Sequence, residues 1–284
     1  MTMIVVTGAS GQLGRLAIKE LLKTLPASEI VAAVRTPEKV SDLAALGVQV
    51  RLADYAQPAT LDAAFKGAGK LLLISSSEVG QRLPQHRNAI DAAKRAGVGL
   101  VAYTSVLRAD TSPLGLAGEH RATEALLKAS GLPHVVLRNG WYTENYLASV
   151  PTALHGAYIG SAGEGRIASA ARADYAAAAA AVLTSADQAG KVYELAGDET
   201  YTLTELAAEI SRQSGKTVVY QNLAEADFKE ALLGAGLPEH VAGLLSDSDI
   251  GASKGALFDD SHQLSRLIGR PTTSLATLVK AALA

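Results

Sequence analysis

The residues Thr7-Gly8-Ala9-Ser10-Gly11-Gln12-Leu13-Gly14 follow a short apolar run and open a stretch of helical periodicity. Glycine at positions 8, 11 and 14 spells G-x-x-G-x-x-G, one residue different in spacing from the dehydrogenase G-x-G-x-x-G. Glycine there serves a tight turn, a close backbone approach to a pyrophosphate, and packing of helix on strand. The amides from Gly8 through Gly14 and the opening of the helix would then hold phosphate oxygens. The chemistry expected is dinucleotide binding, against the plainer reading of a tight turn.

Four further sets of residues extend that reading. Val34-Arg35-Thr36-Pro37 stands at the end of the second expected strand. An acid there would bind the ribose 2′-hydroxyl of NAD, whereas Arg35 suits a 2′-phosphate through paired charge-assisted bonds, which points to NADPH. A solvated surface arginine is the competing reading, and Lys39 reads as a surface lysine. Asp54, after the third strand, either faces the adenine or caps its own loop. Ser75, Ser76 and Ser77 follow the fourth strand, where ligands of doubly wound sheets lie; they line the ribose and nicotinamide path or form a turn. In Asn139-Gly140-Trp141-Tyr142-Thr143-Glu144-Asn145-Tyr146 the only tryptophan sits with two of the nine tyrosines. Flat aromatic faces suit a quinone or nicotinamide ring, and Asn139 and Asn145 suit a carbonyl or carboxamide. Asn145 and Tyr146 are the candidates for positioning a substrate; a packed connection is the alternative for Trp141.

Most short-chain dehydrogenases use a Tyr-x-x-x-Lys pair to move a proton to a carbonyl oxygen. None of the nine tyrosines here has lysine four residues on, and His120 and Glu124 occupy that spacing on the corresponding helix. His120 is therefore either a proton donor or structural. The missing pair weighs against alcohol or ketone chemistry. It suits a quinone, whose reduced form is a delocalised phenolate that water can protonate, so that proximity and orientation dominate.

These groups need a scaffold. Strands are expected at Met3–Val6, Ile30–Val34, Val48–Leu52, Leu71–Ile74, Leu100–Tyr103 and Val135–Leu137. Helices alternate with them at Gly14–Thr24, Ser41–Leu46, Thr60–Phe65, Pro84–Ala96 and Glu119–Ser130. Continuous apolar strands separated by helices imply a parallel sheet covered on both faces. The fold class expected is α/β: a Rossmann-type doubly wound parallel sheet over 1–150 that binds NADPH. A smaller C-terminal α/β lobe, 151–284, would cover the substrate and return some segments to the sheet. In that lobe strands are expected at Val192–Ala196 and Val218–Tyr220, while Tyr158–Ile159 and Ile167–Ala168 flank a Gly-rich loop. Helices are expected at Ala173–Leu183, Thr202–Gln213, Glu225–Leu233, Ser261–Leu267 and Ser274–Ala282. Thr202 and Glu205 read as a capping box. Gly251-Ala252-Ser253-Lys254-Gly255 matches a nucleophile-elbow pattern, but no strand-forming run precedes it, so hydrolase chemistry is set aside. Gly215-Lys216-Thr217 reads as a turn.

Composition excludes other classes. The 26 basic and 28 acidic residues balance to a formal charge of −2, which leaves no basic excess for nucleic acid or an anionic membrane. There is no cysteine, and the six histidines lack metal-ligand spacing, so neither disulfides nor a metal site is expected. The N-terminal residues lack the basic region of a signal peptide, and no apolar run is long enough to span a bilayer, so a cytoplasmic location is expected.

The stretches Thr7–Gly14, Leu71–Arg82, Thr111–Leu116, Arg138–Ala148 and Ala168–Ala178 together resemble the NmrA-like, atypical branch of the short-chain dehydrogenase/reductase superfamily. The likeness runs over essentially the whole chain and is strongest to its bacterial quinone-reducing members; the triphenylmethane reductases are more distant. The resemblance implies NADPH contacts at Gly8 through Leu13, Arg35, Ser75–Ser77, Asn139 through Glu144 (thus Gly140, Trp141, Tyr142 and Thr143) and Arg172. It implies a flavin-free hydride transfer to a quinone bound beside the nicotinamide between the two lobes, and a homodimer is open. The branch also includes NADP(H)-binding redox sensors without turnover, the alternative function.

Overall fold

The computed structural model describes residues 2–284. In chain order the elements are β1 (Met3–Thr7), α1 (Gln12–Leu21), β2 (Ile30–Val34), α2 (Ser41–Ala45), β3 (Gln49–Leu52), α3 (Pro58–Ala64), β4 (Ala68–Leu73), α4 (Arg82–Arg95), β5 (Leu100–Val106), α5 (Ala117–Ser130) and β6 (His134–Asn139). There follow α6 (Thr143–Leu147), α7 (Val150–Ala153), β7 (Tyr158–Gly160), α8 (Arg172–Thr184), β8 (Val192–Leu195), α9 (Leu203–Ser214), β9 (Tyr220–Asn222), α10 (Glu225–Gly234), α11 (Glu239–Ser253), α12 (Gln263–Ile268) and α13 (Leu275–Ala282).

A seven-stranded sheet runs in the order β3-β2-β1-β4-β5-β6-β8, and its first six strands pair in parallel. Strands β2 and β5 are buried along their whole length, as a sheet covered on both faces requires. On one face Leu61 and Phe65, Ala89 and Ile90, and Leu127 pack on Val5, Leu71, Leu73, Val101 and Val136. Helices α1 and α8 pack on each other, and α8 also meets β4 and β5. Alanines 176, 178, 179 and 180 of α8 are buried; the small side chains let the helix approach closely. The strand order reverses at β1, with β2 on one side and β4 on the other. Ligands of doubly wound sheets bind at that switch, outside the carboxyl ends of the strands.

The chain divides into two compact units. The first comprises the chain up to Ala109, Glu119–Asn139 and Arg172–Tyr193; the second comprises Asp110–Gly118, Gly140–Ala171 and Glu194–Ala284. The cut expected near residue 150 is replaced by this interleaving, with 172–193 as the returning segment. The second unit contains a two-stranded parallel sheet that pairs Tyr158 with Tyr220 and Gly160 with Asn222. The capping box at Thr202 forms as expected.

One expectation for the second half is corrected: the last strand is Tyr220–Asn222, shifted from Val218–Tyr220. Ile167, beside the Gly-rich loop, makes an isolated bridge to Tyr201. The polar run 246–249, which argued against a strand, lies in the 15-residue helix α11.

Candidate functional site

The glycine turn has the geometry that its sequence demands. Gly8 adopts a left-handed φ of +59°, and the Gly11 amide donates to the Gly8 carbonyl at 2.9 Å. A side chain at Gly14 would place its Cβ 2.6 Å from the Gly8 oxygen and 2.7 Å from the Ala9 Cα. The third glycine thus lets α1 start directly against the turn. Gly11 caps α1 with no side-chain acceptor, and no acidic residue stands in the first turn. Nothing from the helix itself competes for the positive end of the dipole, so a pyrophosphate fits.

Around this turn the carboxyl ends of β1 and β4 are sewn by side chains. The Thr7 hydroxyl donates to the Leu72 carbonyl at 2.9 Å and accepts from the Ile74 amide at 3.0 Å. Tyr55 donates to the Ile74 carbonyl at 2.7 Å, and its hydroxyl lies 2.6 Å from that of Thr7. Thr7 opens the glycine motif, but its side-chain role gave no signal in the sequence, and neither did Tyr55.

Arg35 stands after β2 as expected, with its side chain 63% exposed, and its Nη1 donates to Glu78 Oε1 at 2.6 Å. Asp54 takes up the loop-capping geometry: its carboxylate accepts from the Ala56 amide and the Gln57 side chain. Ser75, Ser76 and Ser77 follow β4. The Ser75 amide donates to Thr104 Oγ1, and the Ser76 amide to His86 Nε2 at 3.0 Å. The Thr123 hydroxyl donates to the Glu119 carbonyl, so it accepts from His86 Nδ1. These bonds fix His86 as the neutral Nδ1–H tautomer, and burial lowers its pKa to about 4. Buried Arg82 donates from Nε to the Ser76 carbonyl at 2.7 Å, while Glu119 accepts from the Gly80 amide. The loop after β4 is therefore held from below by α4 and α5. Arg82 ends the stretch Leu71–Arg82 that carries the family resemblance, but its role needed tertiary structure.

His120 is 5% exposed, and its Nδ1 lies 2.8 Å from the Tyr103 hydroxyl. Burial first, then the charge of Arg82, lowers its pKa to about 3. It is thus a neutral imidazole at neutral pH. Glu124, at the spacing of the absent lysine, forms a two-point pair with Arg138, with bonds of 3.1 and 2.7 Å. Asn139 ends β6 with its Oδ1 buried and unpartnered, an acceptor available at the carboxyl edge. Arg172 begins α8.

The second unit resumes at Gly140. The segment 140–143 is tied down by backbone bonds: Gly140 to the Leu195 carbonyl, Ala170 to the Trp141 carbonyl, and Thr143 to the Ala170 carbonyl. The Thr143 hydroxyl bonds Ser169, which bonds Tyr201. Tyr142 precedes α6, and Glu144 lies in the first turn of that helix. Trp141, Asn145 and Tyr146 come together in one pocket, with Tyr158, Phe228 and Asp249 also among its walls. Asp249 and Phe228 gave no signal in the sequence, because α10 and α11 bring them there. The elbow-like Ser253 ends α11 and donates to the Ile250 carbonyl, which is a helix terminus and not a strand-to-helix turn. Gly215 caps α9 with φ +71°, a plain turn as read. Among the described residues there is no cluster of His, Cys, Asp and Glu able to hold a metal ion.

The sheet order, the glycine turn at its switch point and the uncapped helix behind it define a Rossmann-type dinucleotide-binding protein. The chain belongs to the NAD(P)H-binding family, whose model matches residues 8–186. It is 64% identical over 278 residues to quinone oxidoreductase 2 of Escherichia coli strain K12, covering 98% of this chain and 97% of that one. A crystal structure of an NADPH-dependent quinone oxidoreductase from E. coli, complexed with NADPH, is similar at TM-score 0.97. It is 63% identical, with coverage of 99% of this chain and 100% of that one. The Citrobacter sp. triphenylmethane reductase complexed with NADP(H) is similar at TM-score 0.95 and 41% identity, covering 99% of this chain and 100% of that one.

Proposed function

We propose that this protein is an NADPH-dependent oxidoreductase that passes hydride to a quinone, or to a similarly conjugated acceptor, without flavin. The observation that carries the reading is the near-identical backbone and 63% identity to an E. coli quinone oxidoreductase whose structure contains NADPH, with the glycine turn intact here. When bound, NADPH supplies the hydride. The protein's part is to hold and orient. Gly8 through Gly14 bind the pyrophosphate with backbone amides, and Arg35 takes the 2′-phosphate. Glu78 holds Arg35 in an exposed pair, which is weak, so a phosphate dianion displaces the carboxylate at small cost. Ser75–Ser77, Asn139–Glu144 and Arg172 complete the cofactor contacts, and Asn145 and Tyr146 face the acceptor. Buried His120 is a neutral imidazole near neutral pH, far too weak an acid to protonate an acceptor, so its part is the packing of α5 on Tyr103.

The finer readings are a cytoplasmic location and a homodimer. Among the described residues no helix is long and apolar enough to cross a membrane. Light scattering of the purified chain tests the dimer.

The activity test follows NADPH oxidation by absorbance with and without 1,4-benzoquinone, with NADH for comparison. Quinone-dependent turnover that prefers NADPH is expected. Tight NADPH binding with no turnover over a panel of quinones would instead leave a non-catalytic sensor. Arg35→Glu is expected to raise the KM for NADPH at least tenfold and leave that for NADH within about twofold; loss of one charge-assisted phosphate pair is worth roughly 1.5–3 kcal/mol. Equal effects on both cofactors would remove Arg35 from the 2′-phosphate site.

A further inference from the structure

The pocket of the second unit has an apolar wall to which Phe228, Leu232, Ile159 and Trp141 contribute, and a polar lining of Asn145, Ser149, Tyr146 and Asp249. Tyr146 and Asp249 are the pair of interest. Tyr146 is 6% exposed, and its buried hydroxyl makes no well-formed hydrogen bond, although Asp249 is close enough to interact with it. A hydroxyl left in that state costs stability, and an acceptor atom of a ligand in the pocket would satisfy it. Asp249 is 5% exposed on α11, and it accepts from the Ser161 amide at 2.8 Å. The site is shaped for that carboxyl, since a Cβ at residue 160 would lie 2.7 Å from Asp249 Oδ2. Tyr146 and Asp249 are close enough for each to shift the other's proton affinity. Tyr158 of β7 and Tyr220 of β9 also feel the Asp249 charge. The Tyr158 hydroxyl donates to the Tyr146 carbonyl at 2.9 Å, which pins α6 against β7.

We propose that the Tyr146 hydroxyl donates a hydrogen bond to a ring carbonyl oxygen of the acceptor, and that Asp249 is the positioning residue that sets the direction of that hydroxyl. A protonated Asp249 donates to the Tyr146 oxygen and turns its O–H toward the ligand. An ionised Asp249 takes that O–H for itself and leaves the ligand facing lone pairs. A quinone carries only acceptors, so it binds the first arrangement. The reduced ring carries O–H donors, so it is not favoured by the same arrangement and leaves more readily. Burial raises the Asp249 pKa to about 6, which puts the change between the two arrangements within the working pH range of an enzyme.

The test uses the full chain and menadione as the probe. Trp141 is the only tryptophan and lines this pocket, so quenching of its fluorescence reports binding. For the wild type the affinity is expected to fall several-fold as pH rises from 5 to 8. Tyr146→Phe is expected to weaken binding about three- to tenfold at pH 5, the range of one hydrogen bond, and to flatten the pH dependence. Its melting should remain a single cooperative transition near the wild-type temperature, which separates a lost ligand contact from a misfolded pocket. Asp249→Asn keeps an acceptor for Ser161 and an N–H donor for Tyr146, so it should hold the pH 5 affinity at both pH values. Unchanged affinity in Tyr146→Phe, or a wild-type pH dependence in Asp249→Asn, overturns the proposal. The inference rests on the quinone reading. Menadione that is neither bound nor reduced by the wild type removes both; wild-type turnover with binding indifferent to the two variants removes this inference alone.

Discussion

Single residues here differ in how much they reveal by type alone. Glycines 8, 11 and 14 announced their purpose, since few other residues fit a turn that a helix abuts. Asp249 did not: it lies in Ser246-Asp247-Ser248-Asp249, a polar run that reads only as a poor strand. In the structure Ser246 and Ser248 are buried, and Ser248 bonds the carbonyl four residues back. Serine that satisfies itself in this way hides a buried helical face behind a polar sequence. Asp249 also makes a prediction about stability. Its folded pKa, about 6, lies above the ordinary 3.8. Between those values the folded chain keeps a proton that the unfolded chain has lost, so stability falls as pH rises through this window. Asparagine at 249 removes that loss. Asp249→Asn should be more stable than wild type at pH 8 by on the order of 2–3 kcal/mol, and by about half as much at pH 5. Urea unfolding at the two pH values checks this, and a gain independent of pH would contradict it.

At the scale of elements, the strands and helices of the sheet were legible because each is long, apolar and punctuated by glycine or proline. Boundaries slipped by a few residues; β5, for instance, continues from Tyr103 through Val106, where Ser105 is a buried polar residue bonded to Glu124. Helices α6 and α7 went unread because each is about one turn long and takes its place from backbone bonds to neighbouring segments. The junction of β1 with α1 is the element that the binding reading depends on most. The contacts that an added Cβ at Gly14 would meet are backbone atoms of Gly8 and Ala9, and neither can swing aside like a side-chain tip. Gly14→Ala should therefore open the turn. A loss of roughly 1–3 kcal/mol of stability is expected from the overpacking, and a drop in NADPH affinity larger than tenfold from the displaced amides. Calorimetric titration with NADPH, beside thermal melting, checks both; an alanine variant that binds as wild type would show that the turn tolerates the shift.

For the whole molecule the chain path matters more than any one contact. Five crossings between the two units mean that neither is one continuous piece of sequence. Hydrophobic periodicity marks elements but not which unit each joins, so the sequence suggested one boundary near 150. The returning segment includes α8, which packs on α1 as well as on β4 and β5. Its Tyr175, Val182 and Leu183 are among the buried residues. Lys70 also anchors it, donating to the Leu183 carbonyl at 2.6 Å. A fragment that stops at residue 150 contains every glycine of the turn, yet it leaves that face of α1 and the sheet bare. Burial of apolar surface stabilises by roughly 25 cal/mol per Å², and a domain's margin is only about 5–15 kcal/mol, so an uncovered sheet face exceeds what the fragment can lose. Fragment 1–150 is expected to aggregate or to lack near-ultraviolet circular dichroism, and to show no saturable NADPH binding, while a chain with α8 retained binds. A soluble, cooperatively melting fragment with wild-type NADPH affinity would show instead that α1 and the sheet hold their geometry without the helix that the chain returns to supply.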